Sequence, residues 1–274
     1  MTHSLKIRSD SGCLILAGGQ GTRLGFEGPK GCVELPLKER KTLFQILLQK
    51  VKDRKAPIAI MTSPLNHEAT FTYLKRENFF GLYNVTLFQQ ETEGGVPNGN
   101  GKAFTYFYRE GIWDRWKEIG VKYLQVLPID NPLATPFDQE LIDANHGVDL
   151  VLRGVERQRP DEKTGVILDR ETLRVEEYTE STRSNGGLLR NTGIFSCTLD
   201  FVKLGATVAL PLHTVRKRVK GTYFSKKEYF IFDLFPYANS YKVLFSMREK
   251  CFAPLKNAWG PDGLESVAKT VESR

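Results

Sequence analysis

CLILAGGQGTRLGFEGPK, residues 13–30, runs from an apolar segment into a glycine-rich segment and closes on Pro29-Lys30. A buried strand followed by such a loop brings backbone N–H groups up against phosphates, because glycine has no Cβ to hold the ligand away. Nucleotide binding is therefore the first expectation. The dinucleotide fingerprint does not fit, since after Gly19 and Gly21 the third glycine comes one position late, at Gly25, with Leu24 in its place. A P-loop does not fit either: Lys30 is followed by Gly31, and the Mg-binding hydroxyl is missing. What remains is a loop with two cations, Arg23 and Lys30, and one acid, Glu27, a composition suited to a triphosphate. The plainer alternative is a surface loop whose glycines only serve turns.

Outward from this loop the pattern alternates. Thr42 caps a helix in which Leu43, Leu47 and Val51 recur at helical spacing, and residues 57–61 read as a second buried strand. An amphipathic helix over residues 64–78 and a third strand over 85–88 follow. Residues 102–117 read as one helix with Phe104, Tyr108, Ile112 and Trp116 at four-residue steps, a stripe that belongs in a core. A strand over residues 123–127 then leads to Asp130-Asn131-Pro132. Buried strands alternating with helices imply parallel β-α-β units, whose ligands lie beyond the carboxyl ends of the strands. That rule gathers residues 18–30, 89–101 and 130–132 at one end of the sheet.

From Leu150 the spacing shortens. Strands are expected over residues 151–155, 165–168, 173–178 and 188–195, with tight turns at 168–171 and 184–187 that make antiparallel hairpins. Helices return over residues 227–238 and, as a polar helix, over 263–271. The fold class is α/β with a mixed, mostly parallel sheet and an appended antiparallel part, in one domain over residues 1–274. Residues 1–149 are read as the nucleotide-binding half, and 150–274 as the sugar-binding half with closing helices.

Composition narrows the function classes. A chain of 274 residues with 41% hydrophobic residues can bury a full core, and no apolar run approaches the roughly 18 residues of a membrane span. Residues 1–10 hold no apolar core of a signal peptide, so a cytoplasmic enzyme is expected. Cys13, Cys32, Cys197 and Cys251 form no C-x-x-C pair, which argues against zinc and a disulfide framework. The net charge of +7 is spread along the chain, and its one dense run, residues 216–220, has no nucleic-acid module around it. A solvated face, or a rim attracting anionic substrates, is expected instead. Neither a nucleic-acid nor a membrane partner is expected, and a monomer is favoured.

At residues 16–25, LAGGQGTRLG, followed by Pro29-Lys30-Gly31, the chain resembles the UDP-sugar pyrophosphorylases, with wording closest to the UDP-N-acetylglucosamine pyrophosphorylases. FQQ at 88–90, NGNG at 98–101, VLPIDNPL at 126–133, EEYTE at 176–180, RNTGIF at 190–195, FDLF at 232–235 and APLKN at 253–257 recur in the family's order. The resemblance implies a Rossmann-like nucleotidyltransferase fold of the glycosyltransferase A type. It also implies a reaction of UTP with a sugar 1-phosphate, first N-acetylglucosamine 1-phosphate, giving a UDP-sugar and pyrophosphate. UDP-glucose or broad-specificity synthesis, or a UTP- or UDP-sugar-binding module without catalysis, are the alternatives.

Such a reaction begins from an already ionised phosphate oxygen, so it needs positioning and relief of charge repulsion rather than a general base. By resemblance Arg23 and Lys30 meet the departing phosphates, and Lys256 is a second phosphate-binding lysine. A divalent cation, Mg²⁺ or Mn²⁺, is expected, with Asp130 as its ligand and a nucleotide contact. The competing role for Asp130 is to cap the next helix. Gln90 matches the family's uracil-facing glutamine, supported by Gly99 and by the main chain of Ala17, Gly18 and Gly19. Asn100, Glu177 and Asn191 match positions that contact the sugar. The chain departs from the family in three ways. Only eight residues separate Gln90 from Gly99, the N-A-G-N element reads Asn191-Thr192-Gly193-Ile194, and the N-terminal extension and C-terminal domain of eukaryotic members are not in the sequence.

Overall fold

A computed structural model describes residues 10–52, 54–159, 162, 164–169, 171–176, 189–219 and 222–274. Glu177, the acidic cluster around it and the turn expected at 184–187 lie outside the described residues.

The first strand, β1 (Ser11–Leu16), has sheet neighbours on both edges and is buried from Ser11 to Ile15, with Cys13 and Ile15 in one apolar cluster and Leu14 in another. Helix α1 (Leu43–Gln49) begins at Thr42, whose hydroxyl accepts from Gln45 N at 3.1 Å. Strand β2 (Ile58–Thr62), helix α2 (His67–Arg76) and strand β3 (Val85–Gln89) complete the β-α-β series. β3, β2, β1 and the later β4 (Tyr123–Pro128) lie side by side and parallel, as the alternation implies.

Residues 102–117 are not one helix. They form α3 (Ala103–Arg109) and α4 (Ile112–Glu118), broken at Gly111, whose φ of 65° is left-handed and cannot continue a right-handed helix. Phe104, Ile112 and Trp116 are nonetheless buried in one apolar cluster, with Tyr108 packed against it, so the stripe is core as expected.

Beyond β4 the sheet becomes mixed. After α5 (Gln139–Ala144), β5 (Leu150–Glu156) and β8 (Leu189–Thr198) pair antiparallel, and β8 joins the parallel part through antiparallel pairing with β4. The hairpin β6 (Val166–Asp169) with β7 (Leu173–Glu176) attaches to β8 at Arg190. Helix α6 (Leu199–Thr207) is capped by the Thr198 hydroxyl and packs on α3.

The last third departs most from expectation. Residues 227–238 are not an α-helix. A hairpin of β9 (His213–Val219) and β10 (Thr222–Glu228) is followed by a 3-10 helix, Ile231–Tyr237. Pro236 lies inside that segment, and proline has no N–H for an α-helical ladder. Residues 216–219 of the basic run therefore lie on β9. Strand β11 (Tyr241–Ser246), not expected from sequence, adds parallel to β5 at the sheet edge. Helix α7 (Leu264–Glu272) is amphipathic rather than polar, burying Val267 and Ala268 in the core around α1. Among the described residues no helix is long and apolar enough to cross a membrane.

Candidate active site

Parallel register sets the site. Leu16 at the end of β1 pairs with Pro128 at the end of β4, so the glycine loop and Asp130 leave the sheet side by side. Gln89 at the end of β3 pairs with Thr62 on the neighbouring β2, and Gln90 N donates to Thr62 O at 2.9 Å, which places the third loop at the same carboxyl end. The strand-end rule thus gathers the predicted loops.

The glycine loop is held by its own backbone. Gly21 N donates to Gly28 O at 2.9 Å and Lys30 N to Gly19 O at 3.0 Å. Arg23 sits exposed on a short 3-10 turn, Thr22–Leu24. Asn66, buried before α2, is a support that sequence reading missed. Its Nδ2 donates to Ala17 O at 2.9 Å and Gly19 O at 3.1 Å, while its Oδ1 accepts from Ser63 N at 2.8 Å. In the sequence an asparagine before an amphipathic helix reads as part of the helix start, so no local signal marks this role.

Lys30 is buried, and its Nζ donates to Asp130 Oδ2 at 2.8 Å. Burial alone pushes the Asp130 carboxyl up, but Lys30, then Lys256 and Arg23, together hold it below the usual carboxylate range. Asp130 caps no helix: α5 is capped by Asp138, whose carboxylate accepts from Leu141 N. Asn131, buried and also missed, fastens a distant segment to this point. Its Nδ2 donates to Cys251 O at 2.7 Å and its Oδ1 accepts from Ala253 N at 3.0 Å. Leu255 N also donates to Asp130 O at 2.8 Å, so the APLKN element is carried to the strand end and Lys256 with it.

A cavity of about 500 Å³ is lined by Arg23, Asp130 and Lys256, and by Asn100 and Asn191. Each asparagine spends its Oδ1 on the protein, Asn100 accepting from Ile231 N at 3.1 Å and Asn191 from Gly193 N at 3.0 Å. Phe232, Phe235 and Phe252 give the cavity an apolar wall. Gln90 lies outside this cavity, buried against the glycine loop, where a Cβ on Gly18 would stand 3.0 Å from Gln90 Nε2. Gly99 has a φ of 87°, and its α-carbon faces Tyr229 O so closely that a Cβ would come within 2.5 Å of it.

Among the described residues no group of three or more His, Cys, Asp or Glu is poised to hold a metal. A hard divalent cation bound through one carboxylate and completed by phosphate and water fits Asp130 without such a group.

A cation-rich cleft at the carboxyl end of a mostly parallel sheet defines a nucleotidyltransferase-type α/β protein. The family model described as UTP–glucose-1-phosphate uridylyltransferase matches residues 9–94 and 89–187, and the chain belongs to that family. It is 31% identical over 308 residues to UDP-N-acetylglucosamine diphosphorylase 2 of Arabidopsis thaliana, covering 91% of this chain and 61% of that protein. It is 30% identical to UDP-N-acetylglucosamine pyrophosphorylase of Saccharomyces cerevisiae, over 90% of this chain and 64% of that one. The chain thus spans somewhat under two thirds of these relatives' length. Among solved structures, the uridine diphosphate N-acetylglucosamine pyrophosphorylase from Trypanosoma brucei superposes with a TM-score of 0.83 at 25% identity, covering 97% of this chain and 65% of that one. UDP-glucose phosphorylase from the same organism shares the fold, with a TM-score of 0.75 at 21% identity, over 90% of this chain and 63% of that one.

Proposed function

We propose that the chain is a uridylyltransferase that forms a UDP-sugar and pyrophosphate from UTP and a sugar 1-phosphate, with N-acetylglucosamine 1-phosphate as substrate. The observation that carries this is one cavity lined by Arg23, Asp130, Lys256, Asn100 and Asn191, with Lys30 bonded to Asp130 at its edge. A phosphate oxygen of the sugar 1-phosphate attacks the α-phosphorus of UTP and pyrophosphate departs. No proton has to be removed from the nucleophile, so the site's work is to align the two phosphates and to take up charge. Arg23 and Lys30 bind the departing phosphates, and Lys256 steadies the incoming one. Asp130 is the residue to hold Mg²⁺, which when bound neutralises triphosphate charge and orients the leaving group.

Ala17, Gly18 and Gly19 offer main-chain groups to the uracil beside Gln90 and Gly99. Asn100 and Asn191, on the cavity wall, meet sugar hydroxyls or an acyl carbonyl in this reading. The wall of Phe232, Phe235 and Phe252 gives an acetyl methyl an apolar surface, which favours the N-acetylated sugar over glucose. The test is pyrophosphate release with UTP, Mg²⁺ and a panel of sugar 1-phosphates. Release with N-acetylglucosamine 1-phosphate exceeding that with glucose 1-phosphate is the expected result. Binding of UTP with no pyrophosphate released from any sugar 1-phosphate would make the chain a binding module instead.

A further inference from the structure

Arg159, a cation of the cavity, faces the carboxylate of Asp262, and the main chain of Lys256 is bonded to the same residue. Arg159 Nη2 lies 3.6 Å from Asp262 Oδ2, while Lys256 N and Asn257 N donate to Asp262 O at 2.8 and 3.0 Å. Arg159, Lys256 and Asp262 all line the cavity, and Lys256 Nζ is 3.5 Å from Thr164 Oγ1 on the same wall. Asp262 has a φ of 57°, a left-handed conformation that a non-glycine residue keeps only where its surroundings hold it. The two N–H groups on its carbonyl do that here. The backbone of Arg159 is held as firmly, its carbonyl accepting from Arg157 Nε at 2.9 Å and Glu162 N at 3.3 Å. Behind this wall the Glu162 carboxylate is committed to Arg248, Thr164 and Gln158. Among the described residues Asp262 presents a carboxylate to Arg159, at a separation longer than a tight hydrogen bond.

A guanidinium on a firm backbone, beside the lysine assigned to the incoming phosphate, matches the oxygen geometry of a phosphate dianion better than a lone ammonium does. We propose that Arg159 is a phosphate-binding residue for the sugar 1-phosphate, exchanging the Asp262 carboxylate for substrate phosphate oxygens. This rests on the cavity being the sugar 1-phosphate site.

The experiment measures binding apart from turnover. N-acetylglucosamine 1-phosphate is titrated calorimetrically into the chain, with Mg²⁺ and a saturating α,β-methylene analogue of UTP present so that no reaction occurs. Arg159→Gln is expected to weaken sugar phosphate binding roughly tenfold or more, the scale of a charged hydrogen bond, and to leave the affinity for the UTP analogue unchanged. Asp262→Asn removes the ion pair but keeps the cation, and asparagine accepts a left-handed φ, so this variant is expected to hold the sugar phosphate as tightly as wild type or more tightly. Arg159→Lys keeps the charge and covers the case in which the glutamine variant does not fold, with a smaller loss expected. Unchanged binding in the Arg159 variants overturns the proposal. Equal weakening in Arg159→Gln and Asp262→Asn also overturns it, since the pair is then a strut. A selective loss in Arg159→Gln alongside a wild type that releases no pyrophosphate leaves Arg159 assigned and removes the proposed reaction. A wild type that binds no sugar phosphate removes both.

Discussion

Lys30 and Asp130, a hundred residues apart in the chain, are joined by a 2.8 Å bond from Nζ to Oδ2, with the lysine buried. The ammonium rests on the carboxylate proposed to take a divalent cation. If Asp130 held a divalent cation, that charge would take the place of the ammonium there, and Lys30 would be available to a phosphate. Lys30→Ala is expected to leave the fold intact and to lower kcat by roughly a hundredfold or more, the scale of losing one preorganised charge contact. Normal kcat with an unchanged melting temperature would remove Lys30 from the machinery.

Asp130→Asn tests the other half of the pair. The variant should need far more Mg²⁺ for half-maximal pyrophosphate release, with little change in the KM for sugar 1-phosphate. An unaltered Mg²⁺ titration would leave Asp130 a structural anchor for Lys30 only.

The same residue makes a pH prediction. Its carboxyl is held below the usual range in the folded chain, so the folded state favours the ionised form more than the unfolded state does. That contribution is fully present above the unfolded carboxylate pKa of about 4 and is lost as pH falls through the folded value. The stability gap between wild type and Asp130→Asn should therefore stay constant from pH 7 to about 4 and shrink only below that. A gap that stays constant below that as well would mean the pair does not favour the ionised carboxylate.

Asn66→Ala takes the side-chain donor from the buried Ala17 carbonyl and one of two donors from the exposed Gly19 carbonyl, which keeps Lys30 N. An unsatisfied buried polar group costs about 1 to 3 kcal/mol, so urea denaturation should show a loss of that order. The KM for UTP should rise as well, because the glycine loop loses its fixed shape. A variant as stable as wild type with a normal KM would show that the loop's internal hydrogen bonds suffice.

On the proposed function, base selection would fall to Gln90 and the glycine loop it lies against. Cytosine replaces one uracil carbonyl by an amine and removes the ring N–H, so UTP should be preferred to CTP by at least roughly tenfold in kcat/KM. Gln90→Ala should narrow that preference in a competition assay. Equal use of both nucleotides by wild type would remove the uridylyl assignment, and an unchanged preference in the variant would move base reading to the backbone of residues 17–19.

Local structure was legible from the chain alone. The strand running into glycines, the Thr42 cap, the aromatic stripe and the positions of Arg23, Lys30, Asp130 and Lys256 are each carried by a few adjacent residues. The strand-end rule then brought the predicted loops together, because parallel pairing aligns the ends of β1 and β4 whatever lies between them. The breaks in that legibility are also physical. Gly111 takes a left-handed conformation that a continuous apolar stripe conceals, and β11 becomes a strand only because β5 offers it an edge. Lys30 on Asp130, Asn66 under the glycine loop, Asn131 fastening residues 251–253 and Arg159 beside Asp262 join partners that the sequence keeps apart. A hydrogen bond is decided by angstroms, and only the packed sheet and its register bring such groups within reach.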